Sequence, residues 1–165
     1  MVGFASLSPT DAILLNDFAE NDVMRILAIG DIHGCFKALT TLAAFVPFAP
    51  DDTIVTLGDY VNRGPNSFAV LDWLIGYKRT GKLVCLSGNH EIMMLAARES
   101  DEAFNRWLEC GGDTTLASYS HLGDPGRLED IPDSHWRFLE NETLRWFETQ
   151  TQANQASETR TDWLE

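Results

Sequence analysis

The chain has 165 residues, and 44% of them are hydrophobic, which is enough for one globular domain with its own core. Its 25 acidic residues outnumber its 12 basic ones, and the net charge of −13 argues against binding nucleic acid or an anionic membrane through bulk charge. Any phosphate that this protein handles must therefore be held locally, by a metal ion or an arginine.

The cysteines and the N-terminal residues bear on location. Cys35, Cys85 and Cys110 form no CxxC pair and are odd in number, which favours a reducing compartment. The first 24 residues contain no Lys or Arg, and their longest aliphatic run is Ala12-Ile13-Leu14-Leu15, so they are unlike a secretory signal. No stretch reaches the ~18 apolar residues of a membrane span. We therefore predict a cytoplasmic protein, and leave its oligomeric state open.

The first half of the chain alternates apolar runs with helical patterns. Residues 1–24 precede this pattern as a peripheral extension, in which Thr10-Asp11 could cap a short helix through Phe18. Strands and helices then alternate, which predicts an α/β fold with a parallel sheet. The predicted strands span 26–30, 53–57 and 82–86, and the predicted helices span about 36–45, Asn66 or Ser67 to Gly81, and Glu91 to about Arg98.

Beyond residue 100 the pattern becomes helical. A helix is predicted from Asp101 to Cys110, followed by a break at Gly111-Gly112 and a short segment to Tyr119. A turn at 123–126 and a helix from Pro132 to about Phe147 complete this region, which could form a small cap beside the sheet edge. The polar stretch 150–165 is predicted to be mostly unstructured. The predicted boundaries are 1–24 for the extension, 25–149 for the domain and 150–165 for the tail.

Each predicted strand ends in side chains that offer oxygen or nitrogen donors. The three stretches are Gly30-Asp31-Ile32-His33-Gly34, Gly58-Asp59 and Gly88-Asn89-His90-Glu91. Parallel strands bring such ends to one edge of a sheet, which is where open α/β sheets bind ligands. Turn glycines with chance polar neighbours would explain any one stretch alone, but three in register indicate a site.

The donor set predicts a metal centre. Asp31, His33, Asp59 and Asn89 suit Mn, Fe or Zn better than an all-oxygen calcium site, and a shared carboxylate would allow two ions. Two ions ~3.5–4 Å apart can activate a water and stabilise an in-line displacement at phosphorus. His90 could then protonate the leaving alkoxide and Arg63 could hold phosphate oxygens. The plainer alternatives are a structural histidine and a surface salt bridge.

The three motifs, the second extended as Gly58-Asp59-Tyr60-Val61-Asn62-Arg63-Gly64, resemble those of the calcineurin-like metallophosphoesterases, in the bacterial serine/threonine phosphoprotein phosphatase branch. The resemblance covers about residues 25–99 and is weaker to about 149. It implies the N-terminal half of an α/β/β/α sandwich with two divalent ions. It also implies roles for the site residues: Asp31, His33 and Asp59 hold one metal, Asp59 bridges to a second that Asn89 also binds, His90 donates a proton, and Arg63 contacts phosphate.

The chain departs from the family pattern in two places. Asn62 stands where the family has an aspartate; its amide can accept the His90 N–H but supplies no charge. The family also completes its second metal with two histidines from later strands, and no histidine follows Phe147, so we expect an incomplete second site on a C-terminally truncated chain. His121 and His135 are the spare imidazoles, and surface or helix-cap roles are expected for both.

Three functional hypotheses follow. The first is a phosphomonoester hydrolase acting on phosphoserine, phosphothreonine or a small phosphoester, with a metal-activated water as nucleophile and His90 as general acid; His33 and Glu91 within their motifs favour it. The second is an enzyme like the symmetrical diadenosine tetraphosphatases, which share the metal motifs. The third is a truncated, non-catalytic relative that binds metal weakly.

Overall fold

A three-stranded parallel sheet lies at the centre of the computed structural model, which describes residues 25–79, 81–122 and 127–140. Its strands are β1 (Ile26–Ile29), β2 (Thr53–Thr56) and β3 (Lys82–Cys85), in the order β1-β2-β3. The register aligns the strand starts, with Ile26 opposite Thr53 and Thr53 opposite Lys82. Because the strands are parallel and in register, their carboxyl ends lie at one edge. The predicted α/β class is confirmed, and each strand ends one residue earlier than predicted.

Two helices connect the strands. Helix α1 (Phe36–Phe45) lies between β1 and β2, and α2 (Ser67–Lys78) lies between β2 and β3. The Asn66 side chain accepts the Ala69 N–H at 3.0 Å and so caps α2, as residues of this type do at helix starts. The two helices contact each other, and α2 also contacts β3.

The two faces of the sheet are unequally covered. Side chains of one face, such as Ile54 and Cys85, are fully buried. On the other face Ile26 is 68% exposed, and Val84, which lies on the same face, is only partly buried. Parallel sheets are normally covered on both faces. The described elements therefore cover only one side of this sheet.

The helical region begins earlier than predicted. Helix α3 (Asn89–Ala96) includes Asn89 and His90 in its first turn, whereas the sequence predicted a start at Glu91. Helix α4 (Asp101–Trp107) is joined by a kinked segment (Leu108–Gly112) to α5 (Asp113–Ser118), and a 3-10 turn (Leu128–Asp130) precedes α6 (Asp133–Glu140). Gly111 has φ of 93°, which interrupts the regular helix where a break was predicted.

Some predictions lie outside the described residues: the helix before Phe18, the turn at 123–126, the end of α6 toward Phe147 and the tail 150–165. Among the residues that are described, no helix combines the length and apolarity needed to cross a bilayer.

A buried histidine connects α6 to the rest of the core. His135 is fully buried, and its Nδ1 accepts the Tyr119 hydroxyl at 2.7 Å while its Nε2 donates to Asp72 Oδ1 at 3.0 Å. The expected surface or helix-cap role is therefore wrong for this residue. Burial lowers the pKa of His135, and the Asp72 carboxylate opposes that shift only in part.

We predict that His135 makes the stability depend on pH. Its folded-state pKa is lowered, so the unfolded chain binds more protons than the folded one as the pH falls below about 6.5, and stability is lost in that direction. Urea unfolding at several pH values should therefore show that His135→Gln destabilises the protein less at low pH than at neutral pH. The control, His121→Gln, removes an exposed imidazole. A His135→Gln penalty that stays constant or grows on acidification would contradict the prediction.

Candidate active site

The loops that follow the three strands meet at the carboxyl edge of the sheet. Backbone hydrogen bonds join the first two loops, since Ile32 and His33 both donate to Asp59 O, at 3.0 and 2.7 Å. His33 Nε2 then lies 3.9 Å from Asp31 Oδ2 and 4.0 Å from Asp59 Oδ2. His90 lies edge-to-face with His33, with ring centroids 4.7 Å apart. The structure thus brings these four predicted site residues together.

The backbone of these loops is unusual. Within the described residues, the non-glycine residues with positive φ are His33, Asp59, Asn62 and Arg63, with φ between 44° and 70°. Such conformations cost about 1–3 kcal/mol each and persist only where the surroundings hold them. All four belong to the candidate site, so the contacts around these loops must offset the strain.

Glu91 supplies many of those contacts. Its carboxylate is fully buried and accepts the backbone N–H groups of Asp59 at 2.7 Å, Tyr60 at 2.8 Å, Val61 at 3.3 Å and Gly88 at 2.9 Å. Burial raises the pKa of Glu91, while the backbone donors act in the opposite direction. One side chain at the start of α3 therefore holds the loop after β2 against the loop after β3.

Two glycines allow these loops to approach. A Cβ on Gly88 would lie 2.0 Å from Asp59 Oδ1, and a Cβ on Gly58 would lie 2.3 Å from Gly88 N. Gly58 also has φ of 103°, a conformation that side chains disfavour. Both positions therefore require glycine if the Asp59 carboxylate is to keep its place.

His33 is oriented as a metal ligand would be. Its Nδ1 donates to Val61 O at 2.9 Å, which leaves the lone pair of the neutral ring on Nε2, facing the two aspartates. Such a second hydrogen bond is what fixes the tautomer of metal-binding histidines. Arg63, which is exposed, donates from Nη1 to the same Nε2 at 3.1 Å. Arg63 would have to move away before an ion could bind there.

The spacing of the donor atoms fits a divalent ion. The donor atoms of His33, Asp59 and His90 all lie within 4.8 Å of one another, and Asp31 Oδ2 lies 3.9 Å from His33 Nε2. Bonds of about 2.0–2.2 Å place the ligand atoms of one ion about 3–3.5 Å apart, so these atoms must move closer together to bind one ion. Asp59 is mostly buried, whereas the Asp31 side chain is 64% exposed. Asn89 is exposed at the first position of α3, next to His90. The clustered His33, Asp59 and His90, with Asp31 beside His33, therefore offer donor atoms that could hold one ion.

The contact between Asn62 and His90 corrects a prediction. Asn62 Oδ1 accepts the Trp107 Nε1–H and the Thr115 hydroxyl, each at 3.0 Å, and the amide nitrogen faces His90 Nδ1 at 2.8 Å. The expectation that Asn62 accepts the His90 N–H is wrong, because its oxygen already has two donors. Burial lowers the pKa of His90, and Asp59 opposes that shift.

Sequence reasoning missed how three residues build the site. Glu91 was named only as part of its motif, and its hold on the loop after β2 was not predicted, because Gly88 at the helix start has no side chain to signal a cap. Neither Trp107 nor Thr115 was singled out from the sequence. Both contact Asn62 across more than 40 residues of sequence, and no local pattern indicates such contacts.

The spare histidines do not join the site. Both ring nitrogens of His135 are already hydrogen-bonded to Tyr119 and Asp72. His121 is exposed, as expected, and lies against the Phe68 ring with centroids 4.4 Å apart.

A parallel α/β sheet with clustered aspartate and histidine side chains at its carboxyl edge suits a metal-dependent hydrolase. The chain belongs to the calcineurin-like phosphoesterase family, whose family model matches residues 24–164.

Its relatives carry two kinds of name. The symmetrical bis(5'-nucleosyl)-tetraphosphatase of Pseudomonas syringae pv. syringae is 38% identical over 94 residues, which is 56% of this chain and 30% of that protein. The enzyme of the same name from Chromobacterium violaceum is 43% identical over 77 residues, or 46% of this chain and 27% of that protein. Serine/threonine-protein phosphatase 1 of Salmonella typhimurium is 39% identical over 90 residues, or 54% of this chain and 39% of that protein.

A solved structure agrees with the fold. A crystal structure of a candidate diadenosine tetraphosphatase is 30% identical, with a TM-score of 0.50, and the similarity covers 73% of this chain and 44% of that one. The chain therefore spans less than half the length of the proteins it matches.

We predict that Glu91→Gln destabilises the protein. The amide NH₂ would face backbone donors that now meet a carboxylate oxygen, and leaving such a buried donor unsatisfied costs about 1–3 kcal/mol. Urea unfolding would measure the loss. Glu102→Gln is the matched control, because Glu102 is an exposed glutamate whose ion pair with Arg106 contributes little. Equal unfolding free energies for the two variants would contradict the role of Glu91.

Proposed function

We propose that this protein is a metal-dependent phosphoester hydrolase whose first divalent ion, Mn, Fe or Zn, is held by Asp31, His33 and Asp59. The observation that carries the proposal is the His33 Nδ1–H bond to Val61 O, because it directs the Nε2 lone pair toward both aspartates. Asp59, with Asn89, would contribute to a second ion.

The chain's own residues have complementary roles in this proposal. Bound divalent ions supply Lewis-acid stabilisation and lower the pKa of water. Arg63, once released from His33, is an exposed guanidinium beside the cluster and suits the binding of phosphate oxygens. His90, buried next to the cluster, would provide a hydrogen-bond or proton donor to the leaving oxygen.

For the substrate, we infer a symmetrical dinucleoside polyphosphate before a phosphoprotein. Two of the relatives described above are named as symmetrical tetraphosphatases. The sequence argument for a phosphoprotein phosphatase relied partly on Glu91, and that carboxylate is buried against four backbone N–H groups, so it cannot contact a substrate. Phosphoserine or phosphothreonine in a protein is the second candidate substrate, because the Salmonella relative is named as a serine/threonine-protein phosphatase.

Low activity is expected of this chain. In this proposal the second ion would have Asp59 and Asn89 as its protein ligands. This chain covers less than half the length of the relatives it matches. A non-catalytic, metal-binding protein is the alternative proposal; Mn, Fe or Zn as the metal and a cytoplasmic location are predictions from sequence.

The first test is metal binding. Titration calorimetry with Mn²⁺ should show one site, and Asp59→Asn should weaken it at least ~10-fold, since losing a ligand costs no less than losing a residue that supports one. Asp51→Asn is the matched control, because Asp51 is an exposed aspartate in the turn before β2. Binding that is unchanged in Asp59→Asn, or weakened equally in both variants, would contradict the ligand assignment.

The second test is the choice of substrate. With Mn²⁺ present, we expect slow, chelator-sensitive hydrolysis of diadenosine tetraphosphate, with one water, to two molecules of adenosine diphosphate. This hydrolysis should be faster than release of phosphate from a phosphoserine peptide. Asp59→Asn should abolish both activities, and Asp51→Asn should keep both. Faster hydrolysis of the phosphopeptide would favour the second candidate, and no hydrolysis despite metal binding would favour a non-catalytic protein.

A further inference from the structure

The side chain of Asn62 is fully buried, and each of its polar atoms has a partner. Its Oδ1 accepts the Trp107 Nε1–H and the Thr115 hydroxyl, and its Nδ2 lies 2.8 Å from His90 Nδ1. Trp107 lies in α4 and Thr115 lies in α5, so both are far in sequence from the loop that carries Asn62. The amide is therefore held from the helical region rather than by its own loop.

The chemistry of these partners fixes which way the amide points. An indole N–H can only donate, so the atom of Asn62 that faces Trp107 must be the oxygen. Thr115 agrees with this assignment: its Oγ1 lies 2.9 Å from the Asn62 N–H and 3.1 Å from Ser67 Oγ. Because the Trp107 contact makes Oδ1 an acceptor, the single Thr115 hydroxyl proton is donated to it, and Ser67 is then the donor in its contact with Thr115.

The orientation of Asn62 then determines the hydrogen bonding of His90. Since the oxygen is directed away, the NH₂ group donates to Nδ1, and Nδ1 must be the ring nitrogen without a proton. A neutral imidazole carries one proton, so that proton lies on Nε2. If His90 Nδ1 carried the proton, it would face the Asn62 NH₂ group, which is also a donor, at a distance of 2.8 Å between the two nitrogens.

We propose that Trp107 and Thr115 are positioning residues for His90: by orienting the Asn62 amide they fix its ring as the tautomer with the proton on Nε2. In this tautomer the Nε2–H of His90 is a hydrogen-bond donor on the side of the ring away from Asn62. The lone pair on Nδ1 already accepts from Asn62, so no ring lone pair is left to bind a metal. His33, whose Nδ1 donates to Val61 O, has the opposite tautomer, although the two rings are in contact. The two adjacent histidines thus have opposite tautomers. The roles built on them, His33 as a metal ligand and His90 as a donor to a phosphoester oxygen, rest on the proposed function.

The test is NMR of the full, metal-free chain labelled with ¹⁵N-histidine, which distinguishes protonated from unprotonated ring nitrogens. His90→Asn assigns the His90 signals by their loss. In the wild-type protein we expect Nε2 protonated and Nδ1 unprotonated. Asn62→Asp, which offers only acceptors to the ring, should move the proton to Nδ1.

The positioning role is tested by removing the two donors to Asn62. Trp107→Phe and Thr115→Val should each release the amide and produce a measurable fraction of His90 with Nδ1 protonated. Trp73→Phe is the control, because Trp73 stacks on Tyr77 and should leave His90 unchanged. If Trp107→Phe does not fold, Thr115→Val, which keeps the side-chain shape, decides alone.

Two results would overturn the proposal: a wild-type His90 with its proton on Nδ1, or folded donor variants whose His90 keeps the wild-type tautomer. Neither result depends on hydrolysis, so failure of this proposal and failure of the proposed function are separate outcomes.

Discussion

The buried carboxylate of Glu91 is the interaction on which the site depends. It accepts four backbone N–H groups, three from the loop after β2 and one from the start of α3. Asp59 is among the residues it holds, and the Asp59 backbone carbonyl in turn accepts the N–H groups of the loop that carries His33. The three loops are therefore joined through one residue, and losing its charge would loosen all of them.

This arrangement explains how a strained backbone persists at the sheet edge. Four non-glycine residues of the site have positive φ, and their strain is offset by contacts from Glu91, Thr115 and the glycines that allow close approach. The helical region contributes directly, because Trp107 and Thr115 reach Asn62. The helical region that was predicted as a cap beside the sheet therefore also supports the loop after β2.

The α/β class and the meeting of the three motif loops could be predicted from sequence, because both follow from local patterns, whereas the ligand roles of Asp31, His33, Asp59 and Asn89 stay predictions. Apolar runs that end in Gly-Asp or Gly-Asn place donors at strand ends, and parallel strands bring those ends together. The direction of the Asn62 amide was predicted wrongly because it depends on Trp107, 45 residues away. His135 was misjudged for the same reason, since its partners Tyr119 and Asp72 come from separate helical segments. The start of α3 was missed by two residues because Gly88, which caps it, has no side chain that signals a helix start.

The central claim is that the loops present an oxygen and nitrogen site with His33 as its imidazole ligand. X-ray absorption spectroscopy of the Zn²⁺-loaded chain tests it most directly. The account predicts only oxygen and nitrogen neighbours at about 2.0–2.2 Å, with the scattering pattern of one imidazole that His33→Gln removes. Cys35 is an exposed free cysteine two residues after His33 and is the competing ligand nearby in sequence. A sulfur neighbour at about 2.3 Å, or imidazole scattering that survives His33→Gln, would contradict the account.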